Sequence, residues 1–169
     1  MILDIGCGFA RERDLTSDPR RYQANPRGDV NVDIGSPEVR IKNYIRCDAN
    51  HLCFRDRSFD EVRASHILEH LTDPTKCLRE VKRVLKDQGI FHAHVPNSYG
   101  ERNGYDPSHL WHWKKDEFGE LIGHVFQSVV AGVGDACWIP IRGNRRLWGK
   151  YVVKIFPFLA TELRIEAWK

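Results

Sequence analysis

The sequence predicts one α/β domain, residues 1–169, built on a doubly wound and mainly parallel sheet. Three observations lead there. An apolar run, Ile2-Leu3-Asp4-Ile5, passes directly into Gly6-Cys7-Gly8. Three strand-like segments end in carboxylates, at Asp4, Asp33 and Asp48. Strand-patterned and helix-patterned segments then alternate, as parallel strands joined by crossovers require.

The first strand ends at a G-x-G turn. Glycine reaches positive φ and carries no Cβ, so a ligand can lie on the backbone there. The dinucleotide fingerprint needs a third glycine, and that position is Arg11. NAD and FAD are therefore disfavoured. Residues 10–28 are polar, hold Pro19 and Pro26, and lack 3.6-residue periodicity, which predicts a short or irregular connection. Val30 to Ile34 reads as strand 2, and Ser36-Pro37 as the cap of a helical turn. Tyr44 to Asp48 reads as strand 3 and Ser58 to His66 as strand 4.

Asp73-Pro74 is a helix start, Asp as N-cap and Pro in the first turn. Cys77, Leu78, Val81, Val84 and Leu85 make its apolar stripe, Lys86 lies in its last turn, and Gly89 is its stop. Ile90 to Val95 is strand 5, with His92 and His94 read as packing residues. After a histidine-rich loop over 98–113, a helix over Lys114 to Ile122 buries Phe118, Leu121 and Ile122. Phe126 to Val133 is strand 6 and Glu162 to Trp168 the last strand. Between them, Arg142 to Leu159 holds a basic amphipathic helix, with Leu147, Trp148, Tyr151, Val152 and Ile155 at helical spacing.

Composition narrows the class. The 169 residues are 41% hydrophobic and 29% charged, with a net charge of +3, which does not by itself argue for nucleic acid. No apolar stretch reaches membrane-spanning length and no signal peptide is patterned at the start, so a cytoplasmic protein is expected. Five cysteines, Cys7, Cys47, Cys53, Cys77 and Cys137, are an odd number without C-x-x-C spacing. Free thiols are expected rather than disulfides or structural zinc.

The acids form a site pattern. Asp33 lies 25 residues beyond Gly8, near the ~20-residue offset at which a carboxylate binds a ribose diol. One carboxylate accepts two hydroxyl hydrogen bonds, which suits a cis-diol. Asp48 is placed to accept from the exocyclic amine of a base. The set fits a nucleoside without a pyrophosphate.

With these residues in view, the chain resembles the class I S-adenosylmethionine-dependent methyltransferases. The resemblance runs through Leu3 to Gly8, Asn31 to Ile34, Cys47 to Ala49, Ser58 to Val62, Ser65 to Leu71, Leu78 to Lys86, Val95 to Asn97, and the loop from Asp106 to Trp113. It implies a Rossmann-like seven-stranded sheet of order 3-2-1-4-5-7-6 with strand 7 antiparallel. It implies S-adenosylmethionine as cofactor, in a site made by Asp4, Gly6, Cys7, Gly8, Asp33, Ile34, Asp48, Ala49, Ser65 and His66. Gly6 and Gly8 would approach the methionine portion and Asp33 the ribose, with Asp48 and Ala49 at the adenine and Ser65 and His66 near the sulfonium. The family's usual helix before strand 1 has no counterpart here and the early connections are short. This resembles a compact subgroup, with cover for the cofactor supplied by a second subunit in a homodimer, or with an open site.

For a hydroxyl acceptor a general base matters, and histidine titrates in the right range. His66, just after strand 4, and His109, in the loop after strand 5, are the catalytic candidates. His109 and His112 have a spacing that can hold a metal, but no nearby thiolate or paired carboxylate completes a ligand set, so no metal is expected. The expected acceptor is a small-molecule or glycan hydroxyl. Two alternatives stand beside it: a nucleic-acid methyltransferase, supported only by the basic helix, and a non-catalytic cofactor-binding partner module. The basic segment 142–159 also fits peripheral contact with a membrane surface.

Overall fold

A computed structural model describes residues 1–8, 28–37, 40–98, 106–133, 160 and 162–169. Most of the expected connection over 10–28, part of the Ser36-Pro37 turn, residues 99–105 of the loop, Cys137 and the basic helix of 142–159 lie outside the described residues.

Seven strands form one sheet: β1 (Ile2–Ile5), β2 (Val30–Asp33), β3 (Tyr44–Arg46), β4 (Phe59–Ser65), β5 (Leu85–Pro96), β6 (Ser128–Val133) and β7 (Glu162–Trp168). Their order is β3-β2-β1-β4-β5-β7-β6. The first five run parallel and β7 is antiparallel to both of its neighbours. This is the order and the antiparallel strand that the resemblance implied.

The core follows from strand alternation. Leu3, Ile5, Val62, Ala64, Phe91, Ala93, Val95, Leu163, Ile165 and Ala167 are buried and share one cluster with both helices. The intervening residues turn to the other face. There Asp4 registers with Arg63, Arg63 with His92, and His92 with Glu166, a row of ionisable side chains across four strands. His92 is not a packing residue in the core: its ring nitrogens lie 3.5 Å from Glu61 and 3.6 Å from Glu166.

Helix α1 (Pro74–Val84) starts as the sequence predicts, with the Asp73 carboxylate accepting from the Lys76 amide at 2.9 Å. Cys77, Leu78, Val81 and Val84 are completely buried. Its end differs from expectation. The helix stops at Val84, and Leu85 opens β5 without a loop. Lys86 therefore lies in a strand rather than a last turn. Gly89 sits in a bulge, where Asp60 alone spans the gap between the Phe59–Leu85 and Glu61–Ile90 pairs. A Cβ on Gly89 would stand 2.8 Å from the Leu85 side chain and 3.0 Å from the Lys86 carbonyl, so crowding requires the glycine. Helix α2 (Lys115–Gly123) buries Phe118 and Ile122, and its Glu117 carboxylate accepts from the Lys114 amide at 2.9 Å.

Arg83 fastens the β3–β4 connection to α1. Its guanidinium donates to the carbonyls of Leu52 and Phe54 and to the carboxylates of Asp56 and Glu80, at 2.7–2.9 Å. Glu80 also accepts from the Leu52 amide at 2.8 Å. The Arg83 hydrogen bond leads the effects that hold the Glu80 carboxyl below its ordinary value of 4.5. A carboxylate with a depressed folded pKa stabilises the fold above its unfolded pKa, and that contribution vanishes as pH falls through the folded value. Glu80→Gln should therefore cost about 1–2 kcal/mol at pH 7. The difference from wild type should shrink as pH falls below 4.5, measured as urea midpoints from pH 7 to pH 3. A pH-independent difference would contradict the assignment.

Candidate functional site

The carboxyl ends of β1, β2 and β3 meet at one edge of the sheet, and a cleft opens there. Ile5, Gly6, Val32, Asp33, Ile34, Cys47, Asp48, Ala49, Ile67 and Leu71 line it. Five of these, Gly6, Asp33, Ile34, Asp48 and Ala49, are expected from the sequence.

The glycine turn is held from β2. The Gly6 and Cys7 amides both donate to the Val32 carbonyl, at 2.9 and 3.2 Å. Gly8 donates its amide to Asp33 Oδ2 at 3.0 Å, and Gly35 donates to Asp33 Oδ1 at 3.1 Å. One carboxylate thus clamps the turn after β1 to the turn after β2. Each oxygen retains a further acceptor position. Asp48 is more engaged with its own turn, taking the Asn50 amide at 2.8 Å and standing 3.2 Å from His51 Nδ1. The Asn50 amide is the main reason that the Asp48 carboxyl sits below its usual range.

Both glycines have positive φ, 69° at Gly6 and 76° at Gly8. At Gly6 the close approach is made by a side chain of the protein: a Cβ there would lie 2.6 Å from Ile67 Cδ1 and 2.7 Å from Ile67 Cβ. Ile67 follows β4 and forms one wall of the cleft together with Leu71. Sequence reading missed these two. Their signal is an Ile and a Leu four residues apart in a segment that also carries His66, Leu68, Glu69 and His70. Gly6→Ala should destabilise the fold by about 2–4 kcal/mol from backbone strain and steric overlap together. Adding Ile67→Ala, which removes Cδ1 and Cγ1 but keeps Cβ, should recover part of the steric cost in denaturant titrations, whereas an additive double variant would mean that the Ile67 side chain beyond Cβ does not press on Gly6.

Cys7 is buried, and burial, reinforced by Asp33 and Asp4, pushes its thiol up to about 12, so it is not a nucleophile. Asp4 and Ser65 line a second recess on the polar sheet face, with Glu61, Arg63, His92 and His94.

His66 adopts φ 53°, an uncommon conformation for a residue other than glycine. Its amide donates to the His94 carbonyl at 2.9 Å. Its Nε2 lies 3.5 Å from Glu162 and its Nδ1 3.3 Å from Glu69. These carboxylates, Glu162 first, raise the imidazole to about 9. Both ring nitrogens thus face acids, an arrangement that favours the protonated imidazole.

His109 is brought in by a docked loop. Leu110 and Trp111 donate their amides to the Glu69 carbonyl, at 2.8 and 3.3 Å, and the Trp111 indole donates to the Leu71 carbonyl at 2.7 Å. Glu69 belongs to the 3-10 turn Leu68–His70 that follows β4. The His109 ring packs edge-on against His70, 4.8 Å between centroids. His112 is exposed, 6.3 Å from His109 by the same measure. The fold thus gathers His66, Glu69, His70 and His109 beside the cleft. The apolar walls and the Asp33 carboxylate fit a base and a ribose diol.

Comparison with known proteins gives the family. Residues 3–93 match the family described as methyltransferase domain. The methyltransferase GfsG of Streptomyces halstedii is 30% identical over 99 residues, 52% of this chain and 34% of the relative. A ubiquinone/menaquinone biosynthesis C-methyltransferase of Xanthomonas oryzae pv. oryzae is 47% identical over 47 residues, 28% of this chain and 19% of the relative. The chain spans less than half of the length of the curated relatives it matches, including 37% and 38% for two from Methanocaldococcus jannaschii. A crystal structure of a SAM-dependent methyltransferase from Archaeoglobus fulgidus superposes with a TM-score of 0.68 at 23% identity, covering 99% of this chain and 85% of that one. A match over more than half of the chain, with this sheet order, places the protein in the methyltransferase domain family, with the class I S-adenosylmethionine-dependent fold.

Proposed function

We propose that this chain binds S-adenosylmethionine in the cleft around Asp33 and transfers its methyl group to a hydroxyl of a small molecule or glycan. The observation that carries the reading is the Asp33 clamp, which fixes the glycine turn while keeping acceptor positions for a ribose. When bound, S-adenosylmethionine supplies a methyl group already activated by a positive sulfur. The protein's task is then alignment, which can supply about 7–11 kcal/mol of a barrier. Gly6, Gly8, Asp33, Ile34, Asp48 and Ala49 are assigned to the cofactor, with Asp4 and Cys7 supporting the turn. Ser65 and His66 mark the boundary between cofactor and acceptor.

His66 is a fixed positive charge in this proposal and not the base. The acceptor side is assigned to the loop from Asp106 to Trp113, with His109 half-buried at the cluster. Trp111 and Leu110 are 41% and 54% exposed, which offers an apolar platform for the C–H face of a sugar or similar ring. The named relatives include a C-methyltransferase, so carbon acceptors belong in the same screen. Among the described residues no helix is long and apolar enough to cross a membrane. A nucleic-acid substrate and membrane contact rested on 142–159, outside the described residues.

Asp33→Ala should weaken S-adenosylmethionine binding by about 1–3 kcal/mol, the cost of leaving polar groups unmet. Equilibrium dialysis of the two proteins checks this, with circular dichroism to confirm folding. An unchanged affinity would sink the ribose assignment and the function built on it.

A further inference from the structure

Glu69 is completely buried, and among the described residues neither of its carboxylate oxygens has a hydrogen-bond donor in good geometry. Among the described residues, its ion-pair neighbour is the His66 ring, at 3.3 Å. That ring is shared with Glu162, 3.5 Å from the other nitrogen. Two carboxylates therefore share one imidazole ring. Burying a carboxylate without donors is costly unless a cation compensates it. Among the described residues, Glu69, His70 and His109 each offer a ligand atom, and these atoms lie within 4.8 Å of one another.

We propose that Glu69, His70 and His109 form a divalent-metal site beside the methyltransferase cleft, with one carboxylate oxygen and two imidazole nitrogens as ligands. The sequence reading expected no metal because His109 and His112 lacked a carboxylate. The fold supplies it from the turn after β4, and it replaces His112 with His70.

Three features make this a prepared site. The His70 Nδ1 lies 3.1 Å from the Ser108 carbonyl, which can only accept. Nδ1 is then the donor, and the lone pair stands on Nε2, the tautomer of a metal-binding imidazole oriented by a carbonyl. Ser108 is itself held, its amide and hydroxyl donating to Asp106 Oδ1 at 2.9 and 2.7 Å. The loop that carries His109 is tied to the backbone of Glu69, so ligand residues from two segments move as one unit.

The donor set selects the ion. One carboxylate and two imidazoles suit zinc and similar borderline cations, and they suit magnesium or calcium poorly. Zinc-to-nitrogen distances of about 2.0–2.1 Å put any two ligands at most about 4.2 Å apart. Small imidazole rotations close the remaining fraction of an ångström. Three protein ligands leave a coordination position open, as in catalytic sites. Resting on the methyl-transfer reading, that position takes the acceptor oxygen and lowers the pKa of its proton.

The test is calorimetric titration of the untagged, chelator-treated chain with zinc chloride, repeated with cobalt(II) and followed by visible absorption. The expected result is one equivalent bound at micromolar affinity or tighter, weakened at least tenfold by Glu69→Gln and by His109→Ala and unchanged by His112→Ala. His109→Ala, on an exposed loop, keeps the test informative if the Glu69 variant does not fold. No zinc uptake by wild type, or equal uptake by both variants, overturns the site. Dialysis against S-adenosylmethionine on the same samples separates the two readings. Cofactor binding without zinc uptake rejects the metal alone, and zinc uptake without cofactor binding supports the metal and rejects the methyl-transfer reading.

Discussion

The site depends on one carboxylate. Asp33 ends β2 and receives amides from the turn after β1 and from its own turn, at 3.0 and 3.1 Å. Among the described residues, the Val32 carbonyl is the other acceptor that holds the glycine turn to β2. Parallel strands put their carboxyl ends at one edge, so the residues that close the turns are also those that meet a ligand. Stability and binding therefore draw on the same atoms. An acid at this place serves the geometry of the two turns even before any ligand is considered.

The second organising contact is Ile67 over Gly6. It connects the end of β4 to the end of β1 and turns a flat edge into a cleft. The same segment continues into the turn of Glu69, whose carbonyl receives two amides of the 106–113 loop. Cleft wall and buried acid are thus consecutive in one short stretch, on which the 106–113 loop docks. The His66 cation, in a positive-φ conformation, sits at the junction between Glu69 and a strand from the far side of the sheet.

Much of the architecture was legible because strand ends announce themselves through glycine and acid residues. The last strand, Glu162–Trp168, agrees residue for residue with expectation, since its polar and apolar residues alternate from Glu162 through Ala167. The end of α1 was not legible. Leu85 is buried whether it closes a helix or opens a strand, and Gly89 reads as a helix stop when crowding at a bulge explains it. At the site, residue types were legible and partners were not. Nothing local to His66 reveals Glu162, and nothing near His109 reveals Glu69. Those pairings come from sheet order and loop docking, which connect positions far apart in the chain.

The central claim is a nucleoside cleft at the carboxyl edge of β1, β2 and β3. The most direct measurement is calorimetric titration of the folded chain with S-adenosylhomocysteine, which carries the same nucleoside and lacks the reactive methyl. The account predicts a single site of micromolar affinity. A folded sample that releases no heat at millimolar ligand, and shows no change in amide exchange at Gly8 or Gly35, would contradict it.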